Sequence, residues 1–171
     1  MKKLIKKLSK RARMASAKAV AIAATIMVIG WILQANFQLV VNRSESLPIR
    51  SVLILKGKLP KKVDQIFVFK VKNNPHYPNQ EKEFIKLAGG FAGDEIRVKL
   101  PEREVYVMER LTGVAKVESL KGLPLTTIEA DIIPPHKFFA YTPHKDSLDS
   151  RYQELGLVDE KDIIGTAIAT F

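Results

Sequence analysis

The sequence predicts a mostly β protein, an antiparallel β domain behind a single N-terminal transmembrane helix. Three observations predict it. A long uncharged stretch follows a basic tail, the rest breaks into short runs rich in Val, Ile and Phe, and no long amphipathic helix separates those runs. A length of 171 residues, with 46% apolar and 27% charged side chains, suits one folded domain rather than a disordered chain. The chain has no cysteine, which excludes disulfides, thiolate metal sites and a cysteine nucleophile.

The N-terminal element comes first. The formal charge of +10 arises from 28 basic and 18 acidic residues, and it is unevenly spread. Residues 1–18 hold eight basic side chains and no acid, which leaves 20 basic and 18 acidic residues over 19–171. A nucleic-acid-binding domain spreads its basic residues over a folded face. Here the body is almost neutral, so nucleic acid is not an expected partner and a lipid bilayer is. The stretch AVAIAATIMVIGWIL, Ala19–Leu33, carries no charge, and the uncharged run continues to Val41, 23 residues in all. About 20 apolar residues span a bilayer. Lysines precede the run and none follows until Lys56, which predicts a cytoplasmic amino terminus and a body on the other side. The expected organisation is a basic tail over 1–18, an anchor over 19–41 and an extracytoplasmic domain over 42–171. A cleaved secretory signal shares the basic-then-apolar order. The length of the run, the size of the basic region and the poor cleavage signal at Gln34-Ala35-Asn36 favour a retained anchor.

Beyond Val41 the pattern alternates. Ser51–Lys56, Gln65–Lys72 and Glu95–Leu100 read as strands, and Glu95–Leu100 sets Ile96, Val98 and Leu100 on one face against Arg97 and Lys99 on the other. Val105–Met108, Gly113–Ser119, Thr127–Ile132, Lys137–Tyr141 and Ile163–Thr170 are further short candidates. Turn residues separate them at Lys56–Pro60, Asn73–Pro75, Gly93-Asp94 and Pro134-Pro135. Asn73–Lys82 is polar and reads as a loop.

Three segments carry the residue types of a chemical site. Asn42–Pro48, NRSESLP, presents Ser44 and Ser46 just before a proline turn. Phe84–Ile96, FIKLAGGFAGDEI, embeds Lys86 in an apolar strand. A lysine in such surroundings loses hydration of its charged form, so its pKa falls and it can serve as a general base. Taken alone, Lys86 is equally readable as an edge-strand lysine that blunts aggregation. Asp146–Tyr152, DSLDSRY, reads alone as a turn with a local Asp149–Arg151 pair. The glycines of the second segment lack the spacing of a phosphate loop or dinucleotide motif, and no His-Glu-x-x-His occurs. The three histidines, His76, His136 and His144, show no triad spacing. No cofactor and no metal are expected.

In order and spacing the three segments resemble the conserved boxes of the type I signal peptidases, membrane-anchored serine peptidases with a Ser–Lys dyad. Ser46-Leu47-Pro48 matches the serine-x-proline form of the nucleophile box. Lys86, Gly90, Gly93 and Asp94 fall on the lysine box, and Ser147, Asp149, Ser150 and Arg151 on the last box. The short form of the first box and the compact body look most like the TraF branch, peptidases of conjugative transfer systems that mature the pilin and in some cases close it into a ring. Departures are Arg50 in place of a glycine, Leu87 in place of a basic residue, Ala92 in place of a proline, and the missing glycine-aspartate-asparagine before the last box.

The resemblance implies Ser46 as nucleophile and Lys86 as general base. It implies an oxyanion hole made by the Ser46 N–H and the Ser44 hydroxyl, Ser147 orienting the Lys86 amine, and Asp149 with Arg151 bracing the loop. The implied partners are an exported preprotein or pro-pilin, together with other envelope proteins of a transfer system, and the implied location is a bacterial inner membrane with the catalytic domain in the periplasm. A general leader peptidase with many substrates, or a non-catalytic anchored β scaffold, would show the same segments.

Overall fold

The computed structural model describes residues 2–171, with side chains from residue 16 onward. It divides into an N-terminal helical unit and a β body that begins at Gln38. Helix α1, Lys2–Asn36, contains no proline to break its ladder. Its Ser16–Asn36 stretch is long and apolar enough to cross a membrane, with a mean hydropathy of 1.9, and side chains such as Ile26 and Trp31 are exposed. The eight basic residues expected to form a cytoplasmic tail lie mostly outside the described side chains.

The anchor expected over 19–41 needs a correction at its far end. The helix stops at Asn36, whose amide donates to the Ile32 carbonyl at 2.8 Å, and Phe37–Val41 is strand β1. Val40 is buried with Val52 and Ile54 of the body. Five uncharged residues rich in β-branched side chains continue a hydropathy run without continuing the helix.

The remaining strands are β2 (Ser51–Lys56), β3 (Ile66–Val71), β4 (Lys82–Gly90), β5 (Glu95–Lys99), β6 (Glu104–Val107), β7 (Arg110–Val114), β8 (Asp131–Ile132), β9 (Lys137–Tyr141), β10 (Val158–Asp159) and β11 (Ile163–Thr170). They make a seven-stranded sheet in the order β1-β2-β11-β3-β4-β9-β10 and a four-stranded sheet in the order β7-β6-β5-β8. Every pairing whose register is defined is antiparallel. The mostly antiparallel β fold expected from the sequence is the fold observed.

Strands β2, β9 and β11 fall on the ranges expected from the sequence. The expected strand Gly113–Ser119 is instead β7, three residues earlier, because β6 and β7 are joined by a tight turn at Met108-Glu109 with Met108 at φ 53°. No glycine marks that turn. Thr127–Ile132 contributes only the two residues of β8.

Strand β4 is interior to the large sheet, with Lys86 opposite Phe67 of β3 and Leu87 opposite Tyr141 of β9. The chain then leaves this sheet through the Gly90–Asp94 turn and enters β5. A Cβ on Gly90 would meet Val107 Cγ1 at 2.6 Å and Ile133 Cδ1 at 2.8 Å, so only glycine allows the small sheet to pack there. The Asp94 carboxylate closes the turn by accepting from the Phe91 N–H at 2.8 Å. Gly90 and Asp94, two of the four lysine-box residues, thus have a structural reason: they turn the chain from one sheet into the other.

The apolar core falls into three clusters. Phe67, Phe69, Ala88, Phe138 and Ala140 fill one face of the large sheet. Ile96, Val105, Val107 and Ile133 of the small-sheet region pack on Phe139, Tyr141 and Tyr152. Val40, Leu47, Val52, Ile54, Val68 and Ile85 form the third, which places the 42–48 segment against β4.

Candidate active site

Ser46 sits on the turn between β1 and β2, and one side chain shapes that turn. The Asn42 amide donates to the carbonyls of Leu47 at 3.1 Å and Ile49 at 3.0 Å, and its Oδ1 accepts from the Ser44 N–H at 3.0 Å. Both faces of one asparagine thereby fold the segment, as asparagine commonly does in turns. The Ser44 hydroxyl donates to Asn42 Oδ1 at 2.9 Å and lies 3.3 Å from Ser46 Oγ. Leu47 is buried, while Ser46 is half-buried and faces a cavity.

That cavity has a volume of about 900 Å³. Ser44, Ser46, Lys86 and Ser147 all line it, although they come from three separate parts of the chain. The Lys86 amine, 4% exposed, donates to Ser147 Oγ at 2.5 Å. Burial lowers its pKa to about 8; the Asp149 carboxylate opposes that shift and the Arg151 guanidinium reinforces it. The lysine therefore has a sizeable neutral fraction near neutral pH, which an exposed lysine lacks. Among the described residues no hydrogen bond joins Ser46 to Lys86. Ser46 instead keeps company with Ser44.

Asp149 and Arg151 are buried beneath the Ser147 turn. Arg151 donates from Nε to Asp149 Oδ1 and from Nη2 to Asp149 Oδ2, both at 2.8 Å. The same Nη2 reaches the His144 carbonyl at 3.1 Å. This bidentate pair is at most 2% exposed at either side chain, so both charges are neutralised where water cannot do it. Gly113, at φ 145°, lies under the Arg151 guanidinium, and a Cβ there would collide with Nη1. Ser150 fastens the other end of the loop: its hydroxyl accepts from the Ala140 N–H at 2.9 Å and donates to the Gly156 carbonyl at 2.7 Å.

Sequence reasoning missed several contributors. Lys116 forms a salt bridge with Asp146 at the cavity wall, and the Lys116 N–H donates to the buried Tyr152 hydroxyl at 3.1 Å. A pair 30 residues apart leaves no local pattern to find. His144, read as a loop residue, accepts at Nδ1 from the Asp146 N–H at 3.2 Å and helps shape the turn that carries Ser147. The structural role of Asn42 was also unread, although asparagine just before a Ser-x-Ser turn was a usable signal. Among the described residues, no group of three or more His, Asp or Glu is placed to hold a metal ion.

A buried lysine of lowered pKa, a serine turn and a braced second serine line one cavity of an antiparallel β fold. Residues 11–171 match the family described as signal peptidase, peptidase S26, and the chain belongs to that family. Membership makes it a serine peptidase of the signal peptidase type, with proteins as substrates. No curated protein matches the chain closely enough to stand as a relative.

Proposed function

We propose that this chain is a membrane-anchored serine endopeptidase that processes exported preproteins with a Ser46–Lys86 dyad, and that its substrate is the pilin precursor of a conjugative transfer system. One observation carries the dyad: Lys86 is buried, has its pKa lowered to about 8, is held by Ser147, and faces the cavity that Ser46 lines. The substrate assignment rests on the resemblance of the Asn42–Pro48 segment and the compact body to the TraF branch. The apolar Ser16–Asn36 helix supports the anchor by length and composition. With lysines before it, the expected setting is an inner membrane with the body in the periplasm.

The chemistry follows from the groups present. Neutral Lys86 takes the proton of the Ser46 hydroxyl as its oxygen attacks the scissile carbonyl. The Ser46 N–H and the Ser44 hydroxyl, 3.3 Å from Ser46 Oγ, serve as donors to the oxyanion. The Lys86 ammonium returns the proton to the leaving amine, and an acyl-enzyme remains on Ser46. Attack by water releases a linear product; attack by the substrate's own amine releases a ring. Ser147 holds the Lys86 amine in line, and the Asp149–Arg151 pair holds the turn that carries Ser147.

The test is mass spectrometry of a co-expressed pilin precursor with wild type, Ser46→Ala and Lys86→Ala. A shortened product made by wild type alone is expected, and a further loss of about 18 Da marks ring closure. Full processing by either variant removes the dyad. Cleavage of many unrelated preproteins replaces the pilin assignment with a general leader peptidase.

A further inference from the structure

A fully buried hydroxyl close to the lysine has no partner. Thr142 is 0% exposed and its Oγ1 makes no hydrogen bond, although buried hydroxyls are nearly always paired. The sheet gives it a neighbour. Strands β4 and β9 pair with Ala88 opposite Ala140 and Leu87 opposite Tyr141. Carried one residue further, that register sets Thr142 opposite Lys86. Residues directly opposite in an antiparallel pair share a face, with Cβ atoms about 4.5–5.5 Å apart. The Thr142 N–H donates to Asp149 Oδ2 at 3.3 Å, which fixes the residue at the level of the catalytic loop.

A neutral lysine amine has two N–H donors and one lone pair, whereas the ammonium has three donors and no acceptor. The resting amine makes its hydrogen bond to Ser147. When the Ser46 proton arrives, a new N–H appears inside a dry pocket and needs an acceptor. We infer that Thr142 is a positioning residue for the dyad, its hydroxyl accepting a hydrogen bond from protonated Lys86. The inference rests on the dyad reading. The Ser46 O–H bond breaks, an Nζ–H bond forms, and Thr142 keeps its own proton while lending a lone pair. A hydroxyl with no other hydrogen bond is free to make this one.

Other charges around Lys86 stay constant when only the Thr142 hydroxyl changes. Asp149 and Arg151 are locked to each other, and Lys116 is locked to Asp146. Lys82 and Glu83 lie on the lysine's own strand, Arg43 and Glu45 on the Ser46 turn, and His144 on the turn after β9; strand β3 presents Phe67.

Thr142→Val removes the hydroxyl at nearly constant shape and keeps the backbone N–H, while Thr142→Ser retains the hydroxyl. The Lys86 titration is followed by the NMR shift of its side-chain carbon next to the amine, in full-length chain in detergent micelles. A Ser46→Ala background makes the reading independent of turnover, and Lys86→Met identifies the signal. Thr142→Val is expected to move the Lys86 midpoint down by about half a pH unit, since an acceptor of the charged form is lost. Thr142→Ser leaves it in place. In otherwise wild-type chain above pH 8, where the amine is already neutral, kcat/KM falls about threefold for Val, the half-unit shift expressed as a rate, and stays near wild type for Ser. An unmoved Lys86 midpoint in Thr142→Val overturns the inference, as does an equal change for Val and Ser, which would mean packing alone. A moved midpoint in a protein that processes nothing upholds the Thr142–Lys86 contact and removes the dyad reading instead.

Discussion

Leu47 and Ile85, the chain neighbours of Ser46 and Lys86, are buried in one apolar cluster with Val52, Ile54 and Val68. The turn that bears Ser46 is therefore fastened to the strand that bears Lys86, one residue away from each. Apolar packing, which has no directional preference of its own, becomes directional here because the backbone on either side is fixed by the Asn42 amide and by the β3–β4–β9 pairing.

Leu47→Ala removes that fastening without touching a reactive atom. A loss of about 2–4 kcal/mol in stability is expected from a large-to-small change at a buried site. The rate constant should fall more than KM rises, since the nucleophile turn loosens while the cavity wall remains. Thermal unfolding and steady-state kinetics on a peptide substrate measure the two; an unchanged kcat in a clearly destabilised variant counts against the role.

Lys86 has its pKa lowered from 10.5 to about 8. Between those values the unfolded chain binds more protons than the folded one, so stability rises with pH across that window. The penalty is full below about pH 8 and gone above 10.5. Lys86→Met should therefore be inactive yet more stable at pH 7, by up to about 3 kcal/mol. Urea unfolding at pH 7 and pH 10 tests this, and a variant less stable than wild type at pH 7 contradicts it.

The same lowered pKa shapes the rate. With neutral Lys86 as the proposed base, kcat/KM should rise with pH through about 8 and drop about tenfold per pH unit well below that point. A profile that is flat from pH 6 to 9 would exclude Lys86 as the base.

Asp149→Asn strands the Arg151 guanidinium where it is 2% exposed. Removing one partner of a buried pair costs about 3–5 kcal/mol. Asp149→Asn combined with Arg151→Met should be less destabilised than Asp149→Asn alone, because the second change removes the unpaired charge. Equal melting temperatures for the single and double variants would show that the two charges are not coupled.

Much of the fold was legible because short apolar runs set between turn residues are a local signal. Strands β2, β9 and β11 coincide with such runs. The β6–β7 turn was not legible, since Met108 adopts a positive φ that no glycine announced. Phe37–Val41 reads as part of the membrane run because hydropathy does not distinguish an apolar strand from the end of a helix that enters lipid. The sequence singled out Ser46, Lys86 and Ser147, and all three line one cavity. Nothing marked Lys116, paired with Asp146 across 30 residues, or Thr142, whose interest lies in a missing hydrogen bond.

Strands β4 and β9 are paired neighbours, yet 46 residues of chain, 91–136, run between them and build the entire small sheet. In topological terms the lysine strand and the strand leading to the Ser147 loop form a hairpin with a very large detour in place of its turn. Such a detour is free to lengthen, shrink or change sequence over evolutionary time without shifting the register that sets Lys86 in its place. Two positions limit that freedom. Gly90 must stay small where the detour departs, and Gly113 must leave room for the Arg151 guanidinium that rests on it. Diversification is expected to concentrate in the remainder of 91–136, which would make that segment the place where relatives acquire different surroundings for an unchanged pair of strands.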